Sequence, residues 1–138
     1  MNFSFKQASI ISLVIILALI APLFLLPIER ILPYPYVIEE LTKLSLVLLI
    51  IRLPKNYIQS LTAVLTGFLF ALSESLFYLG STFGIDQPSL FPQKLVFTAL
   101  IHVLTIALFW LSLKINKKLL IFTLPLAMLA HYFFNRGI

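Results

Sequence analysis

A chain of 138 residues has room for one domain. Its 61% hydrophobic and 11% charged residues, with a mean hydropathy of +1.08, exclude a water-soluble fold, which would lack the polar surface to coat itself; the lipid bilayer must be its solvent. The absence of cysteine rules out disulfides, thiolate nucleophiles and cysteine-ligated metals. The net charge of +5 is spread singly between apolar runs, so these residues read as membrane flanks and no nucleic-acid partner is expected.

Five apolar segments follow one another, about as many spans as this length permits. The first runs from about Ala8 to Pro27, with Pro22 as a kink. It is longer than a signal-peptide core and no small-x-small cleavage site follows, so it is read as a retained span. The second, Pro35 to Ile51, is short for a full crossing. The third covers Tyr57 to Leu79, the fourth Pro92 to Leu113, and the fifth Leu119 to Asn135, kinked at Pro125. Each is expected to be helical, because only a helix satisfies its own backbone hydrogen bonds in lipid. The connection from Gly80 to Phe91, with Gly84, Asp86 and Pro88, reads as an exposed loop. The expected fold is all-α: a polytopic transmembrane helical bundle of about five spans, a single integral-membrane domain over 1–138. Segment 8–27 is an accessory first span and 35–135 a four-helix core.

Basic residues set the topology. Lys6, Arg52, Lys55, Lys114, Lys117 and Lys118 fall on one side, and Arg30, Lys94 and Arg136 on the other. The positive-inside rule then puts the N-terminus in the cytoplasm and the C-terminus outside.

Three of the five acidic residues, Glu39, Glu40 and Glu74, lie inside apolar stretches, as do Lys43, His102, His131 and Asn135. An ionisable group at mid-bilayer costs about 2.5–3.5 kcal/mol even on the gentler scales. With the topology above, Glu39 and Glu40 lie within two turns of the outer surface, Glu74 about 8 Å and His131 about 6 Å from their helix ends, and His102 deeper. The faces agree with a common site. Ala63, Gly67, Ala71 and Ser75 form a small-residue ridge that Glu74 borders. Thr98, His102 and Thr105 make a polar stripe; Ala127, His131 and Asn135 share a face; Lys43 is one turn from both Glu39 and Glu40. The first span carries no polar face.

Each group also has a plainer reading. Glu39 and Glu40 can be interfacial acids at a helix start, Lys43 their ion-pair partner, and His102 a hydrogen-bonded core histidine. Glu74 needs a buried partner, Lys43 or a histidine. Together, carboxylates, histidines and an amide are the parts of a water-activating hydrolase, with histidine and asparagine able to meet an oxyanion. No serine-histidine-acid order stands out, although Ser73 and Ser75 flank Glu74. No HExxH motif occurs, so two histidines and a glutamate give weak support for a metal, and no cofactor is expected.

The ordered set Glu39-Glu40-x-x-Lys43, Phe70-x-x-x-Glu74, His102 and His131-x-x-x-Asn135 resembles the PrsW family of intramembrane proteases, related to the CAAX-processing and bacteriocin-processing glutamic-type endopeptidases. The resemblance covers the second to fifth segments, about 100 residues. It implies a protease of the prokaryotic cytoplasmic membrane acting on a membrane protein or peptide. Glu39 or Glu40 would activate water with help from Glu74, His131 and Asn135 would stabilise the oxyanion, and His102 would assist, with Lys43 and Phe70 in support. Glutamate at position 74 favours the PrsW branch over the CAAX branch, which typically has histidine there. Adjacent positions point about 100° apart, so one of Glu39 and Glu40 is expected to face the water. A proton- or ion-coupled transporter subunit and a non-catalytic scaffold or immunity-type membrane protein retaining the fold are the alternatives.

Overall fold

A computed structural model describes residues 4–29, 31–81 and 91–137. Its helices are α1 (Phe5–Glu29), α2 (Pro35–Ile50), α3 (Asn56–Ser81), α4 (Phe91–Ile115) and α5 (Leu120–Gly137), the last preceded by a single 3₁₀ turn over Lys117–Leu119. Among the described residues there is no strand, and the chain is an all-α bundle. The helices lie on the five apolar segments of the sequence. Of the loop expected from Gly80 to Phe91, residues 80 and 81 continue α3, Phe91 opens α4, and 82–90 lie outside the described residues.

Local chemistry explains the boundaries. Pro35 occupies the first turn of α2, where its missing N–H costs nothing and its fixed φ suits the helix. Asn116 caps the 3₁₀ turn by accepting from the Lys118 N–H at 3.0 Å. The helices continue through Pro22, Pro27 and Pro125. A proline cannot donate to the preceding turn, and the carbonyl of Leu19, three residues before Pro22, accepts the Ser73 hydroxyl of α3 at 2.6 Å. That bond engages one of the two serines flanking Glu74.

Four stretches are long and apolar enough to cross a membrane: Phe5–Ile28, Asn56–Phe77, Phe91–Ile115 and Lys117–Arg136. The protein is therefore an integral membrane protein by length and composition. The 16-residue α2 spans about 24 Å at the usual rise, short of a hydrocarbon core of about 30 Å. Large apolar side chains cover the outside, among them Phe24, Leu61, Val96, Phe122 and Phe133, as a lipid-facing surface requires.

Although the shortest helix, α2 packs against all four others. Its buried residues, Glu39, Glu40, Lys43, Leu46, Val47 and Ile50, recur at helical spacing. Val47 and Ile50 join a core of Val14, Ile58, Ile106, Phe109 and Ala127, to which α1 contributes through Val14. The five residues between α2 and α3 are held by Gln59. Its amide nitrogen donates to the carbonyls of Ile51 and Leu53, and its oxygen accepts the Trp110 indole N–H of α4 at 3.3 Å. Farther along, the Ser112 hydroxyl meets that of Thr123 at 3.0 Å and ties α4 to α5.

A close helix approach lies at the small-residue ridge. A Cβ added to Gly67 would sit 2.7 Å from the Val103 Cα and 3.1 Å from the His102 carbonyl oxygen. Ala63, Ala71 and Ser75 on the same ridge are buried, so small side chains let α3 lie almost backbone to backbone on α4. Gly67→Leu is expected to destabilise the bundle by about 1–3 kcal/mol, the usual cost of overpacking. A lowered unfolding midpoint in detergent checks this, and an unchanged one would show that the ridge is not a close contact.

Candidate functional site

The polar residues singled out in the sequence come together at the end of the bundle where α2 begins and α3 and α5 finish. On α2, Lys43 follows Glu40 by three positions and Glu39 by four, one helical turn. Its Nζ lies 2.8 Å from Glu39 Oε1 and 2.7 Å from Glu40 Oε1, with the amine fully buried. A lysine in such surroundings is tolerable only with its charge matched. Lys43 is thus the ion-pair partner of both acids, as its plainer reading had it.

The two glutamates then diverge. Glu40 is completely buried and its Oε1 accepts from Nδ1 of His131 at 2.8 Å. The partner being a carboxylate, Nδ1 must carry the proton. Glu39 sits between the two histidines. Its Oε1 is 3.4 Å from Nδ1 of His102, and its Oε2 is 3.4 Å from Nε2 of His131. The 100° between neighbouring positions thus sends Glu40 toward α5 and places Glu39 centrally.

Glu74 finds its partner in a histidine. Its Oε2 lies 2.7 Å from Nε2 of His102. This approach is close but off the hydrogen-bonding direction, since both atoms lack a hydrogen bond. His102 is itself fully buried in the expected stripe with Thr98 and Thr105, and Thr105 donates to its carbonyl. Phe70 roofs the group: its ring centroid is 5.2 Å from that of His102 and 5.4 Å from Lys43 Nζ. The two imidazoles meet edge to face at 5.5 Å.

Asn135 is not enclosed with the other groups. His131 is fully buried, whereas Asn135, one turn farther along the same face, is exposed. One turn carries α5 about 6 Å beyond His131, to the level of the first turn of α2, where the bundle ends. Asn135 stands at the rim of the cluster. Sequence reasoning missed the aromatic side chains there: Tyr36 packs against Tyr132 at 5.4 Å, Arg136 lies over Tyr132, and Phe134 flanks His131. Tyr36 precedes Glu40 by four residues and Tyr132 follows His131, so their placement at helix ends was a usable signal of an interfacial belt.

Formal charges do not balance in this cluster. Glu39, Glu40 and Glu74 bring three negative charges and Lys43 one positive, and the charge of Lys94 on α4 acts on Glu74, so neutral histidines leave one negative charge in excess. Several buried polar atoms also lack a hydrogen bond among the described residues: Glu39 Oε1, Glu40 Oε2, Glu74 Oε2, Ser75 Oγ, both ring nitrogens of His102, and His131 Nε2. Structural polar networks are normally saturated. Two of these atoms, Glu39 Oε1 and Glu74 Oε2, nevertheless stand within ion-pair distance of Lys43 Nζ and His102 Nε2. Exposure is unequal, with 14% of the Glu74 side chain accessible and 5% of Glu39 against none of Glu40. Chemically the arrangement can hold and deprotonate a water, relay a proton, or ligate a cation through Glu39, His102 and His131, whose ligand atoms lie within 4.8 Å of one another.

Removing the charge of Lys43 while keeping its length, as in Lys43→Met, is expected to destabilise the protein by about 3–5 kcal/mol, the cost of leaving buried charge unpaired. Adding Glu40→Gln should recover part of that loss in a double-mutant cycle on thermal unfolding. Strict additivity would show that the pair is not coupled.

No family model, curated protein or solved structure matches this chain.

Proposed function

We propose that the chain is an intramembrane endopeptidase, cleaving a peptide bond in a membrane-embedded or juxtamembrane stretch of a protein or peptide substrate. The observation that carries the reading is the convergence of buried Glu39, Glu40, Lys43, His102 and His131 with half-buried Glu74, from four helices of an apolar bundle. Polar groups at this depth are costly, and their usual justification is function. The likeness of their order to the PrsW pattern supplies the reaction class.

In this reading Glu39 is the carboxylate that holds the attacking water. It is central, less enclosed than Glu40, and its oxygens face both histidines. As the water oxygen bonds to the substrate carbonyl carbon, one water proton passes to a carboxylate, Glu39 or its neighbour Glu74. The carbonyl π pair moves to oxygen, and the tetrahedral species collapses when the amine leaves with that proton. Glu40 is a positioning residue: by accepting from Nδ1 it holds the His131 ring with Nε2 facing Glu39, and a doubly protonated ring would donate from Nε2 to the developing oxyanion. Lys43 pairs with both carboxylates of α2, and Asn135 at the rim reaches the substrate backbone. With the N-terminus in the cytoplasm, the site lies near the outer face of a prokaryotic cytoplasmic membrane.

One feature also suits a proton- or ion-coupled transporter subunit. Glu74, His102, Glu39, His131 and Glu40 form an unbroken series of acid–base contacts of 2.7–3.4 Å. Proton flux in liposomes that vanishes with Glu74→Gln, without any cleaved product, would favour that role.

The hydrolytic reading is tested with purified protein in nanodiscs and a library of single-span peptides. Wild type is expected to generate new termini, and Glu39→Gln to lower the rate by about 10²–10⁴-fold, the usual contribution of a general base, while remaining folded. Unchanged cleavage by Glu39→Gln would remove Glu39 from the chemistry.

A further inference from the structure

We infer that the groove between α1 and α3, at the end of the bundle opposite the polar cluster, binds one anionic phospholipid. Its headgroup would sit at Lys55 and Lys6, and its glycerol and upper acyl chain between the two helices. The groove shares no residue with the cluster, and lipid binding there stands apart from the hydrolytic reading.

The cavity holds about 370 Å³, with Ala8 and Ile11 of α1 on one side and Tyr57, Ile58, Leu61 and Leu65 of α3 on the other. From Tyr57 to Leu65 it runs about 12 Å at the helical rise. Deeper in, the two helices close on each other. Ala18 and Phe70 belong to one buried cluster, and Ser73 donates to the Leu19 carbonyl. The slot therefore ends within one leaflet, half of a hydrocarbon core of about 30 Å. A membrane-spanning helix, about 10 Å across, needs a groove running the full depth, whereas a lipid of one leaflet does not. Leu61 and Leu65 are 67% and 39% exposed, so bilayer lipid can enter sideways.

The polar groups in the slot sit where a glycerolipid needs them. The 26-residue α3 is about 39 Å long, so its first turn stands among headgroups. Thr62, about 9 Å from the helix start, lies just inside, at the level of the glycerol esters. It lines the cavity and is 5% exposed, yet its hydroxyl makes no hydrogen bond among the described residues, although its carbonyl accepts from Thr66. Ser12 faces it from α1 and lacks the bond to the preceding turn that Ser9 makes to Phe5. Unsatisfied hydroxyls in an apolar slot are donors awaiting ester oxygens.

The mouth is basic. Lys55 directly precedes α3, and its Nζ lies 5.8 Å from the centroid of the Tyr57 ring. Lys6 stands two residues before Ala8, and Arg52 lies on the α2–α3 connection that Gln59 holds. None of the three makes an ion pair among the described residues, and the chain has no acid among residues 1–28, 41–73 or 87–138. With no acid in its first turn, α3 adds its own positive dipole end. This field favours an anionic headgroup over a zwitterionic one. The positive-inside rule puts the same end in the cytoplasmic leaflet, where anionic lipids lie.

Delipidated protein in detergent would be titrated with phosphatidylglycerol or phosphatidylcholine of identical acyl chains and read by native mass spectrometry. Wild type is expected to retain one phosphatidylglycerol and to hold phosphatidylcholine about 10-fold more weakly. Lys55→Gln should weaken phosphatidylglycerol about 5-fold, the usual weight of one lysine at an anionic surface, and leave phosphatidylcholine unchanged. Ala8→Phe, which fills the slot, should abolish retention of both. Lys114→Gln, on α4, which makes no contact with α1, should bind as wild type does. Equal retention of the two lipids, or equal losses in Lys55→Gln and Lys114→Gln, would overturn the site in favour of diffuse attraction. A dimer mass that Ala8→Phe removes would overturn it in favour of a second copy of the chain. Should Ala8→Phe fail to fold, wild type in nanodiscs with a phosphatidylglycerol carrying a photoreactive upper acyl chain decides. Labels on residues 8–12 and 57–65 are expected, and labels spread over α4 and α5 would contradict the site.

Discussion

Everything at the polar end of this bundle depends on Lys43 being held between Glu39 and Glu40. A fully buried amine with carboxylate oxygens at 2.8 and 2.7 Å fixes the rotation of α2, because turning that helix would carry the amine or the acids into lipid. Since α2 touches every other helix, its rotation decides what α4 and α5 meet. His102 and His131 are placed by it. Buried ion pairs of this kind are rarely more stabilising than apolar residues of equal volume. The bundle could be built more simply, and the pair is best understood through what it positions.

The apolar packing sets the tolerances. Close contact at Gly67 brings the His102 backbone against α3, which puts the imidazole within reach of Glu74 two turns along. Ser73 anchors the same stretch of α3 to the Leu19 carbonyl of α1. Gln59 locks the far end of the α2–α3 hairpin and ties it to Trp110 of α4. Thus, among the described side chains, α1 brings no ionisable group to the cluster, yet it braces the helix that carries Glu74. Positions along α3 and α4 therefore couple, through rigid helices, to distances of a few ångströms at the carboxylates.

Much of this was legible in the sequence. Hydropathy alone locates the helices to within a few residues, because lipid leaves the backbone no other structure. The four-residue ridge through Gly67 and the stripe through His102 report their buried faces by periodicity. The shortness of α2 was visible as well, but not its contact with every other helix, which is a tertiary fact. Nor was the pairing of Glu40 with His131, 91 positions away: spacing can put two groups at one depth without saying which atoms meet. The choice between Glu39 and Glu40 has the same origin, since it depends on where α4 and α5 stand around α2. For Asn135 the face was readable, but not the level at which the bundle ends, and that decides its exposure. The weak metal signal reflects the same limit, because the three candidate ligands come from three helices and form no local motif.

The most direct test of the account is terminal-peptide profiling of membranes from cells producing wild type or Glu39→Gln at matched, folded levels. The account expects peptide termini that arise only with wild type and map within or beside apolar segments of membrane proteins. Identical profiles from the two, with both proteins confirmed in the membrane, would contradict it and turn attention to the transport of protons or ions through the same cluster.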